Sequence, residues 1–592
     1  MSSYPRGNRQ TSFATVGDVI SYWSDRTPDA PALLGSDGRS LSFAQLLYNA
    51  WSVSDVLSSR GIHRRDRVAL CLRNGLSAAT WTLSVMHYAT AAPLNPLAHP
   101  ESLRRSLALL GPRALVVDDP SSDLARVGQE MGIEVLSISQ FPLEGGRSRR
   151  ATLAPRSPQA TALLVATSGT TTGEPKIARL SHRLLCAGSE RVVKSLRLTQ
   201  SDRCLNMMPL FHNHGLSGAV LASLIAGGSA LCARGFEADS VRRWFERFAP
   251  TWYTAAPPIH HDMVELVRSD PRAVKLSRLR VIRSISAGLD RRVHVELERM
   301  FQIPVIEAWG FTEAGGQITS NGLANSARRI GTVGRASPPF EVRIVDGEEL
   351  GNAKIGHVQI KTTDGVARYL DGTQIRRDGE WIDSGDLGSL DRDGYLTIHG
   401  RTADIANVGG EKVFLKEVQE VLMSFERVAD VAVVTLPSAR KGDVIGALVV
   451  STDDTLDVAS IRRYLSSRLD PFKLPERIAL HNEVPKSPTG KVIRTDVVDV
   501  LSREGSDLET RLSPTPDSNP LETALAAIWS HALGCVVNAD DDFLTLGGDS
   551  ITAARVASAV RDAFAVDIAI EDVLRADSTV RGMAAIIRSF RG

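Results

Sequence analysis

Through residues 1–400 short β-rich runs alternate with amphipathic stretches, and this alternation constrains the fold more than any other feature of the chain. Residues 67–72 read as a strand, 76–88 as a helix and 114–117 as a second strand. Parallel strands need crossover connections, usually helical, so the pattern predicts an α/β core with largely parallel sheets. It stops near residue 401. Runs at 431–436 and 444–450 then read as strands and 458–469 as a helix, a small α+β unit. Residues 502–520 are rich in Ser, Glu, Asp and Thr and carry Pro514, Pro516 and Pro520, a composition that predicts a tether. Further on, Ala553, Val556, Val560 and Phe564 recur at helical spacing, and short helices are expected at 568–574 and 579–589. The expected division is an α/β core at 1–400, a small α+β subdomain at 401–500, a linker at 501–519 and an all-α four-helix bundle at 520–592.

Lys plus Arg number 69 and Asp plus Glu 68, a net charge of +1, so bulk charge favours neither a nucleic-acid nor a membrane partner. The five cysteines, Cys71, Cys186, Cys204, Cys232 and Cys535, are odd in number, dispersed and form no C-x-x-C pair. That argues against a disulfide framework or a zinc site and suits a reducing cytoplasm. Residues 1–12 are polar and lead into no apolar segment, and the longest apolar runs are strand-sized, so neither a signal peptide nor a membrane span is expected.

The run Thr167, Ser168, Gly169, Thr170, Thr171, Thr172, Gly173, Glu174, Pro175, Lys176 follows directly on an apolar strand. Small hydroxyl residues and glycines let main-chain N–H and side-chain O–H groups converge on phosphate oxygens, and Lys176 adds a cation. Three residues separate the glycines and Pro175 precedes the lysine, so this is not a P-loop kinase signature.

This segment resembles the phosphate loop of the acyl-adenylating superfamily, which includes acyl-CoA synthetases, nonribosomal-peptide adenylation domains and luciferases. The family's other motifs follow in order. Ser286, Ala287, Gly288 and Leu289 resemble the segment beside adenine, and Trp309, Gly310, Phe311, Thr312 and Glu313 the aromatic-Gly-x-Thr-Glu motif. Ser384 to Leu387 resemble the T-G-D motif, Gly400 and Arg401 the domain junction, and Pro488 to Lys491 the terminal lysine loop.

The resemblance implies an enzyme that uses ATP and Mg²⁺ to activate a carboxylic acid as an acyl-adenylate. Anionic repulsion must be neutralised as the carboxylate attacks the α-phosphorus and pyrophosphate leaves. Glu313 would offer a hard oxygen to Mg²⁺ and Thr312 a hydrogen bond to the α-phosphate. Trp309 would stack on adenine, Asp386 and Arg401 would hold the ribose, and Lys491 would bridge carboxylate and phosphate. Ala403 stands where the family's hinge residue is usually Asp or Lys; a small residue can still absorb a hinge rotation, with Asp404 next door.

Phe543 to Ser550, with Gly547, Gly548 and Asp549, precedes a helix and resembles a carrier-protein attachment site. Ser550 would carry 4'-phosphopantetheine; alone, the run reads equally well as a helix N-cap. The resemblance implies a phosphopantetheinyl transferase as one partner, and condensing, tailoring or thioesterase-type enzymes downstream, in nonribosomal-peptide or polyketide-type biosynthesis.

Met208 to Leu216 correspond to the family's acid-pocket motif. Amino-acid-activating members place an Asp after the aromatic residue to hold the substrate ammonium, whereas Asn213 stands there in this chain, and a neutral amide cannot balance a buried ammonium. A small acid without an α-amino group is expected, with an aryl acid or an acid–CoA ligase bearing a vestigial carrier as alternatives. Residues 209–216, 251–255, 282–284 and 409–412 resemble oxalate–CoA ligases, but Gly315 and Gly316 replace a Ser-His pair, which argues against oxalate itself. The expected pocket is Asn213, His214, Tyr253, Ser286 and Gly315. His212 is placed with the catalytic set; for His212 and His214 alike, a base and a packing or gating residue remain the two open roles.

Overall fold

The computed structural model describes residues 12–141, 156–167, 176–350, 353–375, 377–401, 404–408, 411–438, 442–453, 456–487, 492–507, 519–533, 537, 539–543, 546, 550–566, 568–573 and 579–591. Residues 168–173, Ala403 and Lys491 of the expected site lie outside them, and Ser550 is described in its backbone alone. The chain divides into two units, residues 1–398 and 399–592.

In the first unit, among the described residues, one sheet has seven strands and a second has nine. The seven-stranded sheet pairs Arg67–Cys71 in parallel with Thr90–Pro93 and Ala114–Val117, and continues beyond Thr90–Pro93 into the antiparallel pair β1 (Thr161–Thr167) and β2 (Lys176–Ser181). Helix α1 (His182–Leu196) follows, started by Ser181, whose Oγ accepts from the N–H of Leu184 at 3.2 Å. The nine-stranded sheet contains the parallel run β3 (Arg203–Asn206), β4 (Trp252–Ala255), β5 (Val281–Ser284) and β6 (Val305–Phe311), with β7 (Gly316–Ser320) antiparallel to β6. All four residues of β4 and of β5 are buried, as expected for parallel strands covered on both faces. A two-residue strand, β8 (Arg368–Tyr369), returns to the seven-stranded sheet and pairs antiparallel with β2. The core between these elements includes Phe43, Trp81 and Trp252, each fully buried. Burial of such side chains contributes roughly 1.5–3 kcal/mol apiece.

In the second unit, Val428–Ser438 pairs antiparallel with Gly442–Ser451, which runs parallel to Arg477–Leu480. Helix α2 (Arg494–Asp507) packs Val497 and Leu501 against this sheet. Residues 502–507, expected in the tether, continue this helix. Once buried side chains have nucleated it, a polar last turn adds hydrogen bonds without needing burial of its own. The C-terminal region is a bundle of α3 (Pro520–Leu533), α4 (Ser550–Phe564), α5 (Ile570–Val573) and α6 (Val580–Arg591). Trp529, Phe543, Val556, Val560 and Ile587 fill it, with Trp529 edge-on to Phe543 at 5.0 Å. No helix among the described residues is long and apolar enough to cross a membrane.

Three histidines in the first unit, His182 and His260 buried and His87 half-buried, are held neutral. Burial, reinforced by Arg64 and Arg156 and opposed by Asp18, lowers His87 to about 4; burial with Arg156 and His87 lowers His182 to about 3. Burial also lowers His260 to about 3. The unfolded chain binds these protons near pH 6.5, the native chain only near pH 3–4, so stability is full above pH 6.5 and lost as the pH falls through that window. Thermal midpoints should drop from pH 7 to pH 5, each histidine adding a slope of about 1.4 kcal/mol per pH unit. His182→Asn should flatten the curve; an unchanged slope would refute the assignment.

Candidate active site

The ladder between β1 and β2 closes with Thr167 opposite Lys176, and Thr167 Oγ1 donates to the Lys176 carbonyl at 3.1 Å. Both ends of the phosphate-loop motif are thereby fixed to one hairpin. Lys176 Nζ stands 5.0 Å from the ring centroid of Tyr369, whose hydroxyl donates to Glu313 Oε1 at 2.7 Å. The neighbouring Ala367 N–H donates to the Glu313 carbonyl at 2.7 Å. Strand β8 therefore brings Glu313 and Lys176, 137 positions apart, to one phenol. Burial, then the Glu313 hydrogen bond, pushes the Tyr369 hydroxyl well above its ordinary value, so it stays a donor. Glu313 is 9% exposed and its Oε2 has no partner among the described residues. A carboxylate oxygen left open beside a lysine suits Mg²⁺, which takes one or two protein carboxylates and completes its shell with phosphates and water.

Trp309 and Asp386 also meet. The indole Nε1 donates to Asp386 Oδ2 at 2.8 Å, and both side chains are buried. The stacking expected of Trp309 is limited by its packing with Ile318, Phe340 and Ile360, which leaves it 8% exposed. Ser286, Ala287 and Gly288 are exposed. Gly310 has no room for a side chain: a Cβ there would stand 1.9 Å from the Gly316 carbonyl oxygen across the β6–β7 pair.

The acid-pocket motif leads into a π-helix, His214–Leu221. The wider turn of a π-helix often marks a functional position. His214 Nε2 lies 2.7 Å from Thr254 Oγ1 and its Nδ1 3.1 Å from Ser286 Oγ. Ser286 is held at φ 86°, a strained conformation for a residue with a Cβ. Thr254 also accepts from Arg283 Nη1 at 3.0 Å, and Arg283 Nε donates to Gln317 Oε1 at 3.1 Å. Asn213 is 7% exposed and its Oδ1 has no partner among the described residues. His212 is half-buried, its ring 4.5 Å from that of Phe211.

Two expected pocket residues are corrected. Tyr253 is fully buried and its hydroxyl meets His260 Nδ1 at 3.1 Å, in the core on the other face of the sheet. Side chains alternate along a strand, so Thr254 faces His214. Gly315 is packed on the backbone of α1, where a Cβ would come within 2.7 Å of the Leu184 carbonyl oxygen. Gly316 is the glycine beside Asn213, at 3.4 Å from its Nδ2 by the same construction.

In the second unit the Arg401 N–H donates to Asp404 Oδ2 at 3.1 Å, and Asp404 pairs with Arg494 at the start of α2. Ser550 is the first residue of α4.

Residues 20–370 match the family model described as AMP-binding enzyme, which spans more than half of the chain. The chain is an AMP-binding enzyme. Residues 417–491 match the AMP-binding enzyme C-terminal domain and 523–587 the phosphopantetheine attachment site. This AMP-binding enzyme is 31% identical over 499 residues to sulfoacetate–CoA ligase of Cupriavidus necator, covering 81% of this chain and 97% of that protein. It is 29% identical to oxalate–CoA ligase of Arabidopsis thaliana, at 81% and 97% coverage. Among solved structures, ATP-bound MatB from Rhodopseudomonas palustris superposes with a TM-score of 0.74 at 27% identity, covering 82% of this chain and 98% of that one. The chain is thus a ligase of the acid–CoA ligase family that works with ATP and Mg²⁺ and bears a phosphopantetheine attachment domain.

Sequence reasoning missed Tyr369, Thr254 and Gln317 as site residues. Tyr369 carried no signal, being one aromatic in an ordinary stretch. Arg283 did carry one, as a charge inside the apolar run of β5.

Proposed function

We propose that this enzyme activates a small carboxylic acid lacking an α-amino group as its acyl-adenylate and transfers the acyl group to the carrier domain of the same chain. The observation that carries this reading is the union, in one chain, of an AMP-binding core with its C-terminal domain and a phosphopantetheine attachment domain. Asn213 supports the acid class: its buried amide is neutral and cannot pair with an ammonium.

In the first half-reaction Lys176 and the Thr167–Gly173 loop bind the phosphates of ATP, and Thr312 hydrogen-bonds the α-phosphate. Glu313, oriented by Tyr369, would hold Mg²⁺, which would neutralise phosphate charge. Asp386, held by Trp309, takes the ribose hydroxyls together with Arg401, and Ala287, Gly288 and Gly310 line the base. Lys491 places a cation between the attacking carboxylate and the α-phosphate. A carboxylate oxygen then forms the bond to phosphorus while the bond to pyrophosphate breaks. Ser550 would hold the phosphopantetheine arm, whose thiol would serve as acceptor of the acyl group, with AMP as the leaving group. The acyl unit passes to condensing, tailoring or thioesterase-type enzymes of a secondary-metabolite pathway.

Intact mass of the phosphopantetheinylated chain, incubated with ATP and a panel of keto, hydroxy, dicarboxylic, sulfonated and aryl acids, tests this. An ATP-dependent gain equal to the acyl mass is expected with at least one acid; no gain with any would refute self-loading. A second reading, free CoA as acceptor, is favoured by the CoA-ligase relatives. It predicts faster acyl-CoA formation than chain acylation.

Tyr369→Phe should lower acid-dependent exchange of pyrophosphate into ATP by about 10-fold, the kinetic equivalent of leaving a buried acceptor unpaired. The Mg²⁺ concentration for half-maximal rate should shift as well. An unchanged Mg²⁺ dependence would refute the orienting role.

A further inference from the structure

Two arginines are buried among the described residues, and their surroundings differ. Arg191, 4% exposed, places Nη1 2.7 Å from Asp364 Oδ2 and donates from Nε and Nη2 to the carbonyls of Gln317 and Ala314. Arg283, 1% exposed, has no carboxylate within ion-pair distance among the described residues. Its Nε and Nη1 each donate to a neutral side-chain oxygen, those of Gln317 and Thr254. Two of five N–H donors are thereby used. Burying an ion is costly, and hydrogen bonds to two neutral oxygens offset only part of that cost. The cation is therefore retained against its surroundings. Desolvation lowers its pKa to about 10, which still leaves it charged at neutral pH.

The place matters as much as the charge. Arg283 and Thr254 are register partners near the C-terminal ends of β5 and β4, where parallel α/β sheets bind ligands. Thr254 passes the contact on to His214 and so to the exposed Ser286 segment. Above the guanidinium the π-helix presents Gly218. A Cβ there would stand 3.6 Å from Arg283 Nη1 and 3.6 Å from His214 Cδ2. A methyl group at that position would already touch both the guanidinium and the edge of the imidazole, so the absence of a side chain keeps that side of them clear.

We propose that Arg283, with His214 at its rim, recognises a second anionic group, a carboxylate or a sulfonate, on the acid that this enzyme activates. The assignment rests on the acid-activating reading above. A planar guanidinium binds such a group through two parallel N–H···O bonds, which a spherical ammonium cannot reproduce. Without the second anion the buried donors stay unpaired, the situation that gives large discrimination between substrates of one size.

The test is acid-dependent pyrophosphate exchange by the full chain with malonate, succinate and sulfoacetate, each set against a monoanion of matched size: butyrate, pentanoate and 3,3-dimethylbutyrate. At least one dianion should exceed its partner by about 100-fold or more in kcat/KM, and the carboxylate and sulfonate arms identify the group. Arg283→Met should bring that ratio below about 3-fold by reducing the dianion rate alone, while ATP still raises the melting temperature of the variant. Gly218→Val, which crowds that side and leaves the guanidinium in place, should lower the same ratio and serves if Arg283→Met fails to fold. Monoanions equal to dianions in the wild type, or an equal loss for both classes in the variants, would show Arg283 to be a structural cation. No exchange with any acid would instead overturn the acid-activating reading, and the proposal with it.

Discussion

Ser550→Ala is expected to leave acid-dependent exchange of pyrophosphate into ATP within about 2-fold of wild type while abolishing every acid- and ATP-dependent mass gain on the chain. The two readouts separate because they belong to different parts of the molecule. In the proposed mechanism activation uses Lys176, Glu313, Tyr369 and Asp386, all in the first unit, with Arg401 and Lys491 from the second. Capture of the acyl group is proposed to use one serine at the start of a four-helix bundle with its own core. An alanine at the first position of α4 removes at most a cap, about 1 kcal/mol, so the bundle should stay folded. Helical circular dichroism of the variant checks this. The contrast should be sharp because a tethered thiol acts at an effective concentration in the millimolar range. Acylation that persists in Ser550→Ala would place the acceptor elsewhere on the chain. Acyl-CoA formed as fast by the variant as by the wild type would make free CoA the natural acceptor.

Lys491→Ala is expected to lower pyrophosphate exchange by roughly 10²–10³-fold, the usual consequence of removing one group that stabilises charge developing in the transition state. KM for ATP should change little, since Lys176 and the phosphate loop still bind it. Thioester formation from a supplied acyl-adenylate should be retained within about 3-fold, because no phosphorus–oxygen bond is made in that step. A variant impaired equally in both half-reactions would mean that Lys491 acts through the fold of its subdomain. Equal exchange rates in variant and wild type would remove it from the mechanism.

The parts of this enzyme that were legible in its sequence are those encoded locally. Strand–helix alternation, the Ser/Thr/Gly run after β1 and the helical spacing of Ala553, Val556 and Val560 each depend on neighbours in the chain. What could not be read depends on contacts between distant segments or on which face of a strand is occupied. Glu313 and Tyr369 are 56 positions apart and meet because an edge strand of two residues returns to β2. Tyr253 and Thr254 differ by one position, and only the sheet's two coverings decide which of them faces His214. Arg283 stood in view as a charge within an apolar strand; its lack of a carboxylate partner among the described residues is a property of the packed structure. The extension of α2 to Asp507 was hidden because polar composition describes solvation and not backbone conformation.

Strand β8 also limits how this enzyme can be recombined with its relatives. The motif holding Glu313 and the residue that orients it belong to separate stretches, with more than 50 residues and part of another sheet between them. A chimera whose crossover falls between positions 313 and 369 would inherit a complete set of nucleotide motifs and a carboxylate without its matched phenol. Junctions placed before Trp309 or after Tyr369 keep the pair together. A block that keeps both Glu313 with Tyr369 and Trp309 with Asp386 runs from residue 309 to residue 386.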